Sequence, residues 1–128
     1  MVARERLIEL GADINKARDD GATPLFMAAQ TGYEVVVRTL IEAGADINKA
    51  IDDGMTPLYM AAQVGHEKVV RALIELGADI NKAQDDGATP LSMVAQKGHE
   101  TVVRALIELG ADVNKASNEG GTLLVAAQ

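Results

Sequence analysis

The chain has 128 residues, no cysteine, a formal net charge of −7, and one phenylalanine and two tyrosines as its only aromatic residues. Without cysteine it has no disulfides and no thiolate metal sites, and the acidic balance disfavours nucleic-acid binding, which needs a basic surface. No apolar run approaches the roughly 20 residues that span a bilayer, so no membrane segment is expected and the core must be mainly aliphatic. Because Arg4, Glu5 and Arg6 follow the first three residues, we predict no signal peptide and expect a cytoplasmic location.

The sequence repeats with a period of 33 residues. Gly-Ala-Asp recurs at Gly11, Gly44, Gly77 and Gly110, and Thr-Pro-Leu recurs at Thr23, Thr56 and Thr89. A fixed period of this length is typical of solenoid proteins. We therefore predict a single domain over residues 1–128, with three complete units between two half-units. The predicted segments are 1–17, 18–50, 51–83, 84–116 and 117–128.

The first half of each complete unit predicts a turn followed by a helix. In residues 18–50 the turn is Asp19-Asp20-Gly21, where glycine can adopt a positive φ. Thr23 is predicted to cap the helix, and Pro24 suits its first position because the missing N–H has no partner there. Gly32 can adopt the left-handed conformation that ends a helix.

The second half of each unit predicts another helix, which begins near Glu34 and ends at Gly44 in the first complete unit. Its apolar face consists of Val36, Val37, Leu40 and Ile41. Three pairs spaced i, i+4 predict a solvated face: Glu34–Arg38, Glu67–Arg71 and Glu100–Arg104. Helices this short are unstable alone, so the units must stack to bury their apolar faces.

Three motifs resemble those of the ankyrin repeat family, and the resemblance covers essentially the whole chain. They are Asp-Gly-x-Thr-Pro-Leu from Asp20, Gly-His-x-x-Val-Val from Gly65, and Gly-Ala-Asp-x-Asn, which occurs four times. The resemblance implies an all-α solenoid of stacked antiparallel helix pairs with projecting β-turn fingers. It also implies a concave protein-binding surface formed by the fingers and the first helices. The family's histidine after Thr-Pro-Leu, which usually ties neighbouring units, is replaced here by Phe26, Tyr59 and Ser92.

Paired aspartates in the three turns form the main candidate site. They suit turn chemistry, but aligned along one edge they would also form a surface for a basic partner protein. A calcium site is the least favoured reading, because adjacent aspartates alone lack a convergent oxygen cage. Met55 and Tyr59 are predicted to add apolar anchors to this surface. The predicted partner-binding residues are Asp19, Asp20, Asp52, Asp53, Met55, Tyr59, Asp85 and Asp86.

Other repeated residues favour structural roles. His66 and His99 occupy the same position in two units, so they are predicted to support the start of the second helix rather than to act in catalysis. Three methionines recur at a spacing of 33 residues: Met27, Met60 and Met93. For these we favour a role in the core or on the inner surface over a role as a methionine-rich binding strip. We predict no catalytic residues, no cofactor and no metal site. Variation between units at positions such as Phe26, Tyr59 and Ser92 is explained equally well by sequence drift and by binding specificity on the inner face.

Two functions remain open from the sequence. The first is a protein–protein interaction module, and the second is a structural or engineered repeat scaffold without a dedicated partner. The near-identical units also suit a fragment of a longer natural array. Residues after Glu119 carry no charge, so we expect weak self-association of C-terminal ends that involves Leu124.

Overall fold

The structure, a computed structural model, describes residues 14–115 and contains three helix pairs in that range. The first helix of each pair is called the inner helix: α1 (Pro24–Thr31), α3 (Pro57–Val64) and α5 (Pro90–Lys97). The second is called the outer helix: α2 (Glu34–Glu42), α4 (Glu67–Glu75) and α6 (Glu100–Glu108). No strand occurs in these residues, which confirms the predicted all-α stack of helix pairs.

Each inner helix begins with the same threonine–proline cap. The Thr23 Oγ1 atom accepts a hydrogen bond from the Phe26 N–H at 3.2 Å, and Thr56 and Thr89 cap α3 and α5 in the same way. Ser92 adds a second bond at α5, since its Oγ accepts the Thr89 N–H at 2.9 Å. These contacts satisfy N–H groups that have no partner within the helix, as the sequence predicts.

Glycine ends each inner helix in the left-handed conformation. Gly32 has a φ of +84°, and its N–H donates to the Ala28 carbonyl at 3.0 Å. A Cβ atom at this position would lie 2.7 Å from the His66 ring of the next pair. Gly32 is therefore required both for its φ and for the close approach of His66.

The pairs stack so that each inner helix packs against the next inner helix, and each outer helix against the next outer helix. Six leucines share the centre of the stack, three from the inner and three from the outer helices: Leu25, Leu58, Leu91, Leu40, Leu73 and Leu106. Their burial, together with the small buried residues Ala29 and Ala62, gives the continuous aliphatic core expected from the composition.

The predicted apolar face of α2 is only partly correct. Val37 and Leu40 are buried and Ile41 is partly buried, but Val36 is 44% exposed. Its counterpart Val69 is 1% exposed. Among the described outer helices, α2 packs against α4, whereas α4 packs against both α2 and α6.

The half-units predicted at the two ends lie outside the described residues, apart from residues 14–17. The predicted self-association through Leu124 falls on the same undescribed part of the chain. Within residues 14–115 the longest helices have nine residues, and none is long and apolar enough to cross a membrane.

Candidate partner-binding surface

Three short turns precede the inner helices and are called the finger turns: 18–22, 51–55 and 84–88. Two backbone hydrogen bonds close the first of them. The Arg18 N–H donates to the Ala22 carbonyl at 2.9 Å, and the Gly21 N–H donates to the Arg18 carbonyl at 2.8 Å. The second and third turns repeat both bonds, so the three have one shared backbone geometry.

The second aspartate of each pair holds its own turn together. Asp20 Oδ1 accepts the Ala22 N–H at 3.0 Å, Asp53 Oδ1 accepts the Met55 N–H at 3.1 Å, and Asp86 Oδ1 accepts the Ala88 N–H at 2.9 Å. A side-chain oxygen that bonds a backbone N–H two residues later is the usual turn chemistry of aspartate. These three carboxylates therefore have a structural role in addition to any role in binding.

Backbone hydrogen bonds also join one finger turn to the next. The Asp52 N–H donates to the Asp20 carbonyl at 3.2 Å, and the Asp85 N–H donates to the Asp53 carbonyl at 3.0 Å. These bonds bring the three aspartate pairs side by side, and all six side chains are exposed. The predicted alignment of the aspartates along one edge is therefore present in the structure.

Negative charge is unevenly balanced along this row. Arg18 forms an ion pair with Asp20 at 2.7 Å, and this bond, with the bond from the Ala22 N–H, lowers the pKa of Asp20. The residues equivalent to Arg18 in the other two turns are Ile51 and Gln84, which carry no charge. The uncompensated negative charge therefore lies mainly on the second and third finger turns.

The structure corrects the predicted role of Tyr59. Its side chain is only 4% exposed, because it lies in α3 within the core between the helix pairs. Burial raises the pKa of Tyr59 to about 12, with smaller contributions from the negative charges of Asp86 and Asp53. Tyr59 is thus a core residue and not an exposed anchor. Met55 is partly buried against the same core.

The other variable residues at this position are buried as well. Phe26 and Ser92, the counterparts of Tyr59, both lie in the core. Variation here changes the packing between units, because a buried side chain offers a partner little surface. The expectation that this position could set binding specificity is therefore not supported.

Sequence reasoning gave no role to the asparagine of the Gly-Ala-Asp-x-Asn motif. In the structure, Asn48 Oδ1 accepts the Asp79 N–H of the next unit at 2.9 Å, and Asn81 Oδ1 accepts the Asp112 N–H at 2.8 Å. Asp46, Asp79 and Asp112 each accept the N–H of the asparagine two residues later through Oδ1. Only the recurrence of the motif every 33 residues could have indicated this link.

Histidines and charged residues complete the ties between units. His66 Nε2 lies 3.0 Å from the Gln30 carbonyl oxygen, and His99 makes the same contact with Gln63. This placement agrees with the predicted structural role at the start of the outer helices. Arg38 bonds both Glu34 in its own helix and Glu75 in the next outer helix, at 3.0 and 3.2 Å. The chain thus ties its units without the family's usual histidine.

Comparison with known families agrees with this geometry. A model of ankyrin repeats in three copies matches residues 3–84, and a model of a single ankyrin repeat matches residues 86–118. The chain belongs to the ankyrin repeat family. Ankyrin repeats are in general protein–protein interaction modules. Comparison with curated protein sequences gives no significant match.

The described ankyrin units offer little for metal chemistry. Across residues 14–115, no group of three histidine, cysteine, aspartate or glutamate side chains is placed to hold a metal ion. The side chains of Asp20, Asp53 and Asp86 each accept a hydrogen bond from a backbone N–H of their own turn, whereas a calcium ion needs several oxygen ligands that converge on one point.

Proposed function

We propose that this ankyrin domain binds a basic segment of a partner protein along the row of finger turns. The observation that carries the proposal is the direct backbone bonding of one turn to the next, which aligns six exposed aspartates. Because hydrogen bonds already hold these turns in place, binding a partner would cost little conformational entropy in the turns. The residues proposed to contact the partner are Asp19, Asp20, Asp52, Asp53, Met55, Asp85 and Asp86.

Charge and shape favour the second and third finger turns as the centre of this surface. Arg18 offsets part of the negative charge on the first turn, whereas Ile51 and Gln84 leave the other two uncompensated. Ile51 and Met55 are both partly exposed, so they add apolar surface beside the carboxylates. A partner segment that alternates lysine or arginine with an aliphatic residue would complement this pattern.

The test compares two triple variants with the same charge change and the same spacing. In Asp19→Asn/Asp52→Asn/Asp85→Asn the substitutions lie on the finger turns, and in Glu42→Gln/Glu75→Gln/Glu108→Gln they lie at the ends of the outer helices. The first aspartate of each pair is chosen because the second holds the turn. The probe is a fluorescein-labelled peptide of alternating lysine and leucine, and the readout is fluorescence anisotropy at low salt.

We expect the aspartate triple variant to weaken binding about tenfold, because three exposed ion pairs at about 0.5 kcal/mol each sum to that factor. The glutamate triple variant should change binding by less than about threefold. Equal losses in both variants would show that net charge alone attracts the peptide, and the proposed surface would be wrong. A larger loss in the glutamate variant would place the binding surface on the outer helices.

Two finer expectations accompany this proposal. Weak self-association through the C-terminal end can be tested by sedimentation over a wide concentration range, with Leu124→Glu as the disrupting variant. A cytoplasmic location can be tested by microscopy of a fluorescently tagged chain. The alternative of a scaffold without a dedicated partner would gain support if no basic ligand bound the finger turns in preference to the outer helices.

A further inference from the structure

Each finger turn contains an aspartate that is followed directly by a glycine: Asp20-Gly21, Asp53-Gly54 and Asp86-Gly87. An aspartate in this position is open to a chemical change that needs no enzyme, because glycine has no side chain to shield its backbone nitrogen. That nitrogen can attack the carboxyl group of the preceding aspartate. All three aspartates are exposed, so water reaches them.

The reaction is an isomerisation of the peptide bond. In the second turn, the Gly54 nitrogen forms a bond to Cγ of Asp53, and a C–O bond of the protonated carboxyl group breaks. The oxygen leaves as water with the carboxyl proton and the Gly54 amide proton, and a cyclic succinimide remains. Water then adds to the backbone carbonyl carbon of Asp53, and the bond from that carbon to the Gly54 nitrogen breaks. The product is isoaspartate, in which the chain continues through the former side chain.

The folded turn restrains the attacking nitrogen. The Gly54 N–H donates to the Ile51 carbonyl at 2.9 Å, and Asp53 Oδ1 accepts the Met55 N–H at 3.1 Å. The nitrogen has to lose its proton in the reaction, so its hydrogen bond has to break first. The first turn contains both equivalent bonds. In both turns the reaction therefore depends on local opening of the folded chain.

Arg18 distinguishes the first turn from the other two. Its guanidinium donates to Asp20 Oδ2 at 2.7 Å, and this contact lowers the pKa of the Asp20 carboxyl group. A lower pKa leaves a smaller protonated fraction, and the protonated carboxyl group is the form that releases water. Ile51 and Gln84 stand at the equivalent positions of the second and third turns, and neither side chain can form an ion pair with its aspartate.

We propose that Asp53-Gly54 is a site of spontaneous isoaspartate formation, and that the ion pair between Arg18 and Asp20 protects the first turn from the same change. The comparison is between the first two turns because each has a described turn after it. In both, the N–H of an aspartate in the following turn donates to the carbonyl of Asp20 or Asp53. The inference does not depend on the binding of a basic partner.

Isomerisation at Asp53 would disrupt its turn without changing the charge. A methylene group is added to the backbone, and the side-chain oxygen that accepts the Met55 N–H is lost from its place. The backbone carbonyl that accepts the Asp85 N–H at 3.0 Å becomes a free carboxylate. The modification therefore weakens the direct link between the second and third finger turns.

The test ages the folded chain in mildly acidic buffer, well below its melting temperature. Peptide mapping with electron-transfer fragmentation measures isoaspartate in each turn, because isoaspartate and aspartate peptides have equal masses but give different fragment ions. A matched pair of variants exchanges the decisive residue: Arg18→Ile removes the arginine from the first turn, and Ile51→Arg adds one to the second. Asp53→Ser is the control for position, since its hydroxyl can still accept the Met55 N–H but has no carboxyl group that could cyclise.

We expect isoaspartate to form at least about twofold faster at Asp53 than at Asp20, which corresponds to the strength of an exposed ion pair. Arg18→Ile should raise the rate at Asp20 to about the rate at Asp53, and Ile51→Arg should lower the rate at Asp53 at least about twofold. In concentrated urea both turns are open, so both rates should rise and become similar. Thermal melts verify that each variant stays folded.

Three outcomes would overturn the proposal. The original folded chain could form isoaspartate at equal rates at Asp20 and Asp53, or faster at Asp20. Asp53 could stay unmodified in the folded chain over a period in which an unfolded peptide of residues 50–57 isomerises. Finally, the exchange of Arg18 and Ile51 could leave both rates unchanged. Isoaspartate that forms first at Asp53, and whose rate follows the position of the arginine, would support the proposal.

Discussion

The His66 Nε2 atom lies 3.0 Å from the backbone carbonyl oxygen of Gln30, so a side chain at the start of α4 is bonded to the last turn of α1. The contact joins residues of different units, 36 positions apart in the sequence. Arg38–Glu75 and Asn48–Asp79 make further bonds between the same two units. A solenoid depends on such interfaces, because each short helix pair is unstable alone.

Replacing His66 should weaken this interface measurably. We expect His66→Ala to lower the free energy of unfolding by about 1–2 kcal/mol, since the change removes a hydrogen bond and leaves the Gln30 carbonyl without that partner. Urea denaturation followed by circular dichroism measures the loss. Tyr33→Ala is the control at the same position in the preceding unit, where the ring is exposed, and should cost less than about 0.5 kcal/mol. Equal losses would show that the Gln30 contact contributes nothing specific.

Two glycines that both end inner helices should respond differently to alanine. Gly32 and Gly65 have φ values of +84° and +91°, so either substitution carries the strain of a left-handed residue, about 1–2 kcal/mol. A Cβ atom at Gly32 would lie 2.7 Å from the His66 ring, whereas at Gly65 the nearest ring atom is 3.7 Å away. Gly32→Ala should therefore cost at least about 1 kcal/mol more than Gly65→Ala in urea denaturation.

A double-mutant cycle identifies the source of that extra cost. In a His66→Ala background the clash is absent, so Gly32→Ala should cost about as much as Gly65→Ala. If Gly32→Ala stays more destabilising in that background, the His66 ring is not responsible.

The helix boundaries could be predicted because their signals are local. Thr23 and Pro24 mark the start of α1, Gly32 marks its end, and Glu34 begins α2, all within a few residues of the features they specify. The repeat period then extended the same prediction to the other units. Stacking of the units could be predicted as well, because each short helix pair has an apolar surface that it cannot bury alone.

The candidate site was harder to predict because burial depends on neighbours far away in the sequence. An aromatic residue at Tyr59 fits a binding surface as well as a core, and only the stacked helices show that it is buried. The link from Asn48 to Asp79 spans 31 residues, so no local pattern indicates it. By contrast, the turn role of Asp53 is local, and the sequence indicated it correctly.

A substitution at Leu73 measures how much the core contributes to the free energy of unfolding. Its side chain is fully buried in α4 of the middle unit. Leu73→Ala should lower the free energy of unfolding by about 2–5 kcal/mol, through lost burial and the cavity that remains. Val35→Ala is the exposed control and should cost less than about 0.5 kcal/mol. A loss below about 1 kcal/mol for Leu73→Ala would mean that neighbouring side chains collapse into the space.

The buried hydroxyl of Tyr59 makes stability depend on pH in the alkaline range. Its pKa is raised from 10.0 to about 12 in the folded chain, chiefly by burial. Between these values the unfolded chain has lost the proton while the folded chain keeps it, so deprotonation favours unfolding. The contribution of Tyr59 is therefore intact below pH 10 and is lost as the pH rises to about 12. Within that window the free energy of unfolding should fall by up to about 1.4 kcal/mol per pH unit.

Tyr59→Phe isolates this effect, because phenylalanine already occupies the equivalent position as Phe26 and cannot ionise. Urea denaturation of both proteins across the alkaline range gives the difference in stability, and the original protein should lose stability relative to Tyr59→Phe as the pH rises above 10. The two proteins differ only in this hydroxyl, so other effects of pH cancel in the comparison. Ultraviolet absorbance of tyrosinate in the Tyr33→Phe variant should place the ionisation of Tyr59 near pH 12. Parallel stability curves for the two proteins, or ionisation near pH 10, would show that the hydroxyl is in contact with water.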